Sequence, residues 1–375
     1  MSSPPPKAVG SPSAGQSPRS AGQSPRSAKS DTPKSKDGFL PPEHWQLAAE
    51  EPLFSDENDG DDSDSYLGSL SDSTASLTSS VLAYRTIHGR TYHSERGNAQ
   101  YWGSNDEAQK DNQDLYHHIQ TLMLGDKLFL APVDTSAISK VVDIGTGTGI
   151  WAIDFADAHP NVNVVGTDLS PSQPTWVPPN LEFHIDDCTQ PWTFAPNSVD
   201  YIHIRFLNGS VQDWDALFAE AYRALKPGGI LESMEPSAVL TSDDGTVEDT
   251  SALAEWGRLF HEAGRRSGRP FTVYEDGLQN KAMAAAGFKE ITEIKKKCPL
   301  GGWPKDPKEK EIGQFGHLMI EQDSEGLVLF AANVLNGWSR EQVAVYIAQV
   351  KRELRSGKKH AHYFQKIVWG RKPKA

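Results

Sequence analysis

One ten-residue string, KVVDIGTGTG from Lys140 to Gly149, constrains this chain more than any other. A short β-branched run, Lys140 to Ile144, reads as a buried strand and stops at three glycines spaced two apart. Gly145, Gly147 and Gly149 lack side chains, so the backbone there can take turn conformations closed to other residues and approach a bound group closely. Ile150 to Ala158 then reads as a helix whose free amides point back at the turn. Val162 to Asp168 is a second apolar strand ending in a carboxylate, 19 residues beyond Gly149. Strand, glycine turn, helix and acid-tipped strand together make the opening βαβ unit of a nucleotide fold.

The pattern continues in the same rhythm. Leu181 to Ile185, Val199 to Ile204 and Ile230 to Met234 read as further strands, and Asp215 to Leu225 as a helix ended by Lys226, Pro227 and Gly228. Upstream, Leu115, Ile119, Leu122 and Met123 recur at spacings of three and four, predicting an amphipathic helix within Asn105 to Leu130. Alternating strands and helices predict an α/β domain built on one doubly wound, mostly parallel sheet. His117 and His118 on the helix, with His88 and His93 before it, form no recognised metal-ligand motif with acidic partners.

Composition separates the first 75 residues from the rest. Residues 1–36 carry six basic residues and one acid, whereas residues 37–84 carry eleven acids and no Lys or Arg. The heptad GQSPRSA occurs twice, at Gly15 to Ala21 and Gly22 to Ala28. So few apolar residues cannot offset the entropy of ordering, so 1–75 is expected to be a disordered tail, with 76–375 forming the domain. Ser11, Ser17, Ser24 and Thr32 each precede a proline and are candidate phosphorylation sites. The formal net charge of -13 argues against broad nucleic-acid binding, and no apolar run is long enough to span a membrane. Cys188 and Cys298 are the only cysteines, which points to a reducing cytoplasmic or nuclear setting.

Two ligand classes compete for the glycine turn. A dinucleotide fingerprint starting at Gly145 requires a glycine where Ile150 stands. Asp143, two residues before the first glycine, would repel a pyrophosphate and receive an ammonium. These two positions favour S-adenosylmethionine, with Asp168 on its ribose, over a nicotinamide dinucleotide. Asp187, followed by the small Cys188, is the candidate acid near adenine, and Arg205 to Asn208 would emerge beside the ligand.

These residues resemble the class I S-adenosylmethionine-dependent methyltransferases, through DIGTGTG, GTDLS and LKPGG. Longer strings, DIGTGTGIWAIDFAD, GTDLSPSQPTWVPPN, YIHIRFLNGSVQDW and GGWPKDPKEKEIGQF, are similar to filamentous-fungal methyltransferases of the secondary-metabolism-regulator type that work with velvet proteins. The resemblance runs from Ser79 to Pro373 and implies a Rossmann-like seven-stranded sheet. It also implies donor contacts from Asp143, Gly145, Gly147, Gly149, Asp168 and Asp187, and a last strand antiparallel beside the sixth. Asn112 and Gln113 stand where the family pattern has Arg and Leu.

The C-terminal half is expected to build the acceptor side. Glu248 to Ser267 reads as a lid or packing helix, and Asp276 to Ala286 as a helix before a sixth strand at Phe288 to Ile294, with Lys295 to Lys297 following it. Glu325 to Asn336 and Glu341 to Leu354 are helical, and His360 to Gly370 closes the sheet. His203 and His184, near the carboxyl edge, are the candidate bases for a hydroxyl or carboxylic acid acceptor. The leading function is methyl transfer to a small molecule or to a protein in a regulatory complex. A scaffold that binds velvet-type partners, and a nicotinamide oxidoreductase, are the alternatives.

Overall fold

The computed structural model describes residues 38–41, 44–45, 84–94 and 101–374. A short antiparallel hairpin, β1 (Arg85–Ile87) and β2 (Arg90–Tyr92), precedes helix α1 (Glu107–Met123). Asp106 caps α1 by accepting from the Gln109 amide, which places the helix start two residues later than the sequence suggests. Seven strands follow: β3 (Lys140–Ile144), β4 (Asn163–Asp168), β5 (Leu181–Ile185), β6 (Val199–Arg205), β7 (Leu225–Pro236), β8 (Lys289–Pro299) and β9 (His362–Arg371). They pair in the order β5-β4-β3-β6-β7-β9-β8. All pairs from β5 to β7 are parallel, and β9 lies antiparallel between β7 and β8. This is the doubly wound Rossmann-like methyltransferase sheet that the sequence predicts.

Alternation along the strands assigns the two faces. Val141, Val164 and Tyr201 pack with Trp151 and Phe155 of α2 (Ile150–Ala158) on one side. Val142, Ile144, Ile202 and Ile204 pack on the other with α3 (Trp214–Ala224) and with Ala282 and Met283 of α6 (Leu278–Ala286), which follows the single turn α5 (Val273–Asp276). A third core joins α1 to α4 (Ala252–Ser267), α7 (Pro307–Leu329), a π-helical turn at Phe330–Leu335 and α8 (Arg340–Arg355).

Three differences from the sequence reading have physical causes. LKPGG is an excursion inside β7 rather than a turn before it. Leu225 pairs with Val199 and pairing resumes at Ile230 opposite Tyr201, while Gly228 and Gly229 exchange hydrogen bonds with Lys372. Lys295 to Lys297 lie within β8, an edge strand, where charged side chains oppose pairing with another chain. Helix α7 starts at Pro307, much earlier than Glu325, because Asp306 caps it and Pro307 sits in the first turn. Its Gly313 and Gly316 blur the helical pattern because they admit the Gly301 and Pro299 carbonyls against the helix. Backbone of Asp323 (φ -138°, ψ 51°) kinks the same helix.

A short part of the expected tail, residues 38–41 and 44–45, falls within the described residues. Phe39, Leu40 and Trp45 are buried, at 6%, 3% and 2% exposure. The Leu40 amide donates to Glu255 of α4, Phe39 meets Trp338 edge-on, and Trp45 packs on Tyr346 of α8. Three apolar side chains within seven residues are enough to dock a short segment of an otherwise polar stretch. The tandem heptads, the Ser-Pro and Thr-Pro pairs and the remainder of 1–75 lie outside the described residues. Replacing Trp45 with Ala is expected to cost about 3 kcal/mol of unfolding free energy in urea titration. An unchanged midpoint would show the segment to be dispensable.

Candidate functional site

The carboxyl ends of β3, β4, β5 and β6 meet α1 around an open cavity of about 1080 Å³, its mouth included. Its position follows from topology: β3 and β6 are neighbours whose connections leave in opposite directions, which opens a crevice at the strand tips. Gly145, Thr146, Gly147 and Thr148 supply its floor and Asp168, Leu169 and Asp186 to Thr189 one side. Arg205 to Leu207 and the α1 residues Gln109, Lys110, Gln113 and Tyr116 supply the other.

The glycine turn is locked from both flanks. Gly145, Gly147 and Gly149 all take left-handed φ values, 71°, 60° and 83°. A Cβ on Gly147 would meet the Gln113 amide at 2.8 Å, and one on Gly149 would overlap the Phe183 ring. Gly145 and Gly147 therefore face the cavity, whereas Gly149 caps α2 and lets the helix close on β5.

Asp168 sits at the tip of β4 where the sequence places it. Its Oδ2 accepts from the Gly147 amide at 2.9 Å and its Oδ1 from the Ser170 amide at 3.1 Å. Burial, with Asp143 nearby, outweighs these bonds and raises its pKa to about 6. No cation pairs with it among the described residues. A carboxylate with lone pairs left over and no counter-charge fits sugar hydroxyls, so the site fits the ribose of S-adenosylmethionine. Asp187 lines the same cavity, its Oδ1 holding the Thr189 amide and hydroxyl at 2.9 and 2.7 Å. Beside it, burial and the neighbouring acids push the Cys188 thiol up to about 12, so it stays protonated.

Asp143 and His203 are placed otherwise than expected. Asp143 is 3% exposed and does not line the cavity. Its Oδ2 accepts from Thr146 Oγ1 at 2.6 Å and its Oδ1 contacts His203 Nδ1 at 2.7 Å. It braces the turn from beneath instead of facing an ammonium. His203 is fully buried, stacked on the Trp151 indole with centroids 3.8 Å apart. Burial lowers its pKa despite the Asp143 contact, and His203 is not among the residues lining the cavity. Along β6, Tyr201 and His203 alternate with Ile202 and Ile204, so His203 faces the α2 side with Tyr201, where Trp151 stacks on it. His184 is half exposed beside Glu182 on β5 and lies outside the lining of this cavity. Neither histidine is positioned as a base.

Other site residues escaped the sequence reading. Glu235, near the end of β7, is fully buried and accepts from the Leu207 and Asn208 amides at 3.0 and 2.9 Å. It thereby holds the turn that carries Phe206 at the left-handed φ of 60°. Burial pushes its carboxyl up to about 8. His93 contacts Ser170 at 2.5 Å, and burial lowers it to about 4, so it is neutral at physiological pH. Only tertiary contacts identify these residues, although the YIHIRFLNG string marks the right loop.

A second cavity, about 770 Å³ with its mouth, shares Gln109, Gln113, Tyr116 and Phe206 with the first. Its wall is aromatic and aliphatic: Trp102, Trp256, Phe260, Phe271, Leu240 and Ile320 among others. Among the described residues its lining holds no Asp, Glu, Lys, Arg, His or Cys. Its two phenols, Tyr116 and Tyr363, are pushed upward by burial and stay neutral. Helix α4, expected as a lid or packing helix, forms one wall through Trp256 and Phe260. Among the described residues, no group of three His, Cys, Asp or Glu side chains is arranged to hold a metal ion, and no helix is long and apolar enough to cross a membrane.

Two substitutions test this geometry. Gly149→Ala is expected to destabilise by about 2–4 kcal/mol, from left-handed strain plus overpacking on Phe183, with part of the loss recovered in a Phe183→Ala background. Asp168→Asn is expected to weaken S-adenosylmethionine binding at least tenfold by calorimetry. Because the folded carboxyl has a raised pKa, the native state holds its proton more tightly than the unfolded chain. Wild-type stability therefore falls as pH rises from about 4 to about 6, and the variant should gain melting temperature relative to wild type at pH 7.5 but not at pH 4.

Comparison with known proteins agrees with the site. A family model described as a methyltransferase domain matches residues 115–293. The chain is 40% identical over 305 residues to the methyltransferase pytC of Aspergillus terreus, spanning 80% of this chain and 92% of that one. It is 36% identical over 291 residues to the secondary metabolism regulator LAE1 of Cochliobolus heterostrophus, 76% and 94% of the two chains. It is 32% identical over 288 residues to the protein-methionine methyltransferase laeA of Emericella nidulans, 76% of each. Glycine turn, acid-tipped β4, antiparallel β9 and these relatives together place the chain in the family of S-adenosylmethionine-dependent methyltransferases that includes pytC and the LaeA-type regulators.

Proposed function

We propose that this methyltransferase acts on a small apolar molecule held in the second cavity. The observation that carries the reading is the shared wall: Gln109, Gln113, Tyr116 and Phe206 border both cavities, so a donor in one and an acceptor in the other meet there. Seven aromatic side chains and a volume suited to a multi-ring compound favour a metabolite over a solvated peptide.

When bound, S-adenosylmethionine supplies an electrophilic methyl carbon on a sulfonium. The protein's own work is alignment and exclusion of water. Asp168 accepts the sugar hydroxyls, Asp187 lies toward adenine, and the bare backbone of Gly145 and Gly147 lets the donor approach the sheet edge. The aromatic wall desolvates the acceptor and fixes its approach, an effect that supplies on the order of 7–11 kcal/mol in well-aligned reactions. With no titratable base in the acceptor cavity, the acceptor must bring an electron pair of its own, as a carboxylate, an acidic enol, a phenolate or a thioether does.

The LaeA-type relatives support a second role. The regulators LAE1 and laeA align over three quarters of this chain, and a velvet-type protein partner in the cytoplasm or nucleus is the corresponding proposal. Co-precipitation of a velvet-domain protein with the full chain tests that role.

Incubating the protein and radiolabelled donor with a fungal extract tests the acceptor. Label is expected in the organic-soluble, low-mass fraction, and label confined to protein would overturn the small-molecule reading. Met319→Glu, which puts a charge in the acceptor wall, is expected to cut this transfer at least tenfold and to leave donor affinity within about twofold. The transfer rate should also show no limb near pH 6.5 from a protein histidine.

A further inference from the structure

One cation in the donor cavity is left without an acid. Arg205, the last residue of β6, lines the cavity beside Gly145, Tyr116 and Phe206. Among the described residues no carboxylate lies within ion-pair distance of it, whereas Arg90 has Asp106 and Asp323, and Arg223 has Glu220. Its direct side-chain contact is a histidine: Arg205 Nη1 lies 3.2 Å from His117 Nδ1. His117, buried on α1, has its other ring nitrogen, Nε2, 2.9 Å from Asp154 Oδ2 on α2. An arginine can only donate and a carboxylate accepts, so the neutral ring is fixed with its proton on Nε2, its Nδ1 lone pair facing the guanidinium. Burial lowers the pKa of His117, in keeping with a neutral ring. Asp154, His117 and Arg205 thus form a chain that spends one edge of the guanidinium on the protein, while Arg205 itself lines the cavity.

A desolvated fork of N–H donors suits a planar carboxylate. The remaining charges in the lining are Asp168, Asp186 and Asp187, which repel such a group, and Lys110, which is paired with Glu107 at 2.7 Å. Resting on the donor assignment above, we infer that Arg205 grips the α-carboxylate at the amino-acid end of S-adenosylmethionine, with His117 and Asp154 as positioning residues. Of the two cations in the described lining, Arg205 and Lys110, Arg205 is the one without a carboxylate partner.

Calorimetric titration of the full chain with three ligands tests the assignment. S-adenosylmethionine carries the carboxylate, decarboxylated S-adenosylmethionine lacks only that group, and 5′-methylthioadenosine lacks the amino-acid end altogether. Wild type is expected to bind the first about tenfold or more tighter than the second. Arg205→Gln should abolish that preference and leave the other two ligands within about twofold of wild type. Arg205→Lys, which keeps the charge and loses the fork, should retain part of it. His117→Phe should shrink the preference without changing 5′-methylthioadenosine affinity, a pattern that general loss of structure does not produce. Equal binding of the first two ligands by wild type would overturn the inference, independently of how any variant folds. So would a preference surviving in Arg205→Gln, or a uniform loss of all three ligands there. Failure of wild type to bind any of the three would instead remove the donor assignment on which the inference rests.

Discussion

The turn after β3 depends on two buried carboxylates, neither of which has a cation within ion-pair reach. Asp143 holds Thr146 and His203 from beneath, and Asp168 holds the Gly147 amide from the side. Three consecutive left-handed glycines would otherwise have great freedom, and glycine loses more entropy on ordering than any other residue. Hydrogen bonds from the Thr146 hydroxyl to Asp143 and from the Gly147 amide to Asp168 hold the turn against that freedom. One consequence is division of labour: the acid that sequence logic aims at the ligand is consumed in shaping the turn, and Asp168 and the turn's backbone line the cavity.

The same device recurs along β7. Glu232 accepts from the Leu130 and Ala131 amides and Glu235 from those of Leu207 and Asn208, both without a cation. Burial raises their pKa values to about 7 and about 8. Both acids bind a proton more tightly in the folded chain, so the stability they contribute is largest at low pH and declines as pH rises toward 7 or 8. Acids of this kind are a cost accepted at functional sites, where they pin loops that helix and sheet hydrogen bonding do not reach. Glu235 pins the turn carrying Phe206, which stands between the two cavities.

Chemical specialisation of the cavities follows from their walls. The donor side is lined by backbone, three carboxylates and Arg205, the acceptor side by rings and aliphatic chains. Methyl transfer from a sulfonium to an electron pair needs alignment in a dry space more than proton transfer. On the proposed reading, a wall whose titratable groups are the neutral phenols of Tyr116 and Tyr363 is a sufficient catalytic surface, provided the acceptor supplies its own nucleophile. The histidines near the sheet edge are accounted for structurally: His203 in a stack on Trp151, His117 in a hydrogen-bond chain and His93 against Ser170.

Local sequence determined the parallel sheet, the glycine turn and Asp168 at the tip of β4. Those features are written in period-two alternation, in residues that alone tolerate left-handed φ, and in a fixed distance along one βαβ unit. Which way Asp143, His203 and Arg205 point was decided by tertiary structure, because each is settled by a partner far away in the chain: His203 itself, Trp151 and His117. The docked Phe39, Leu40 and Trp45 and the long helix from Pro307 were likewise hidden, the first by polar neighbours and the second by Gly313 and Gly316. The acceptor cavity gathers side chains from Trp102 to Tyr363. No window of sequence contains that convergence, since an apolar residue facing a cavity and one facing the core obey the same periodicity and part only when the helices pack.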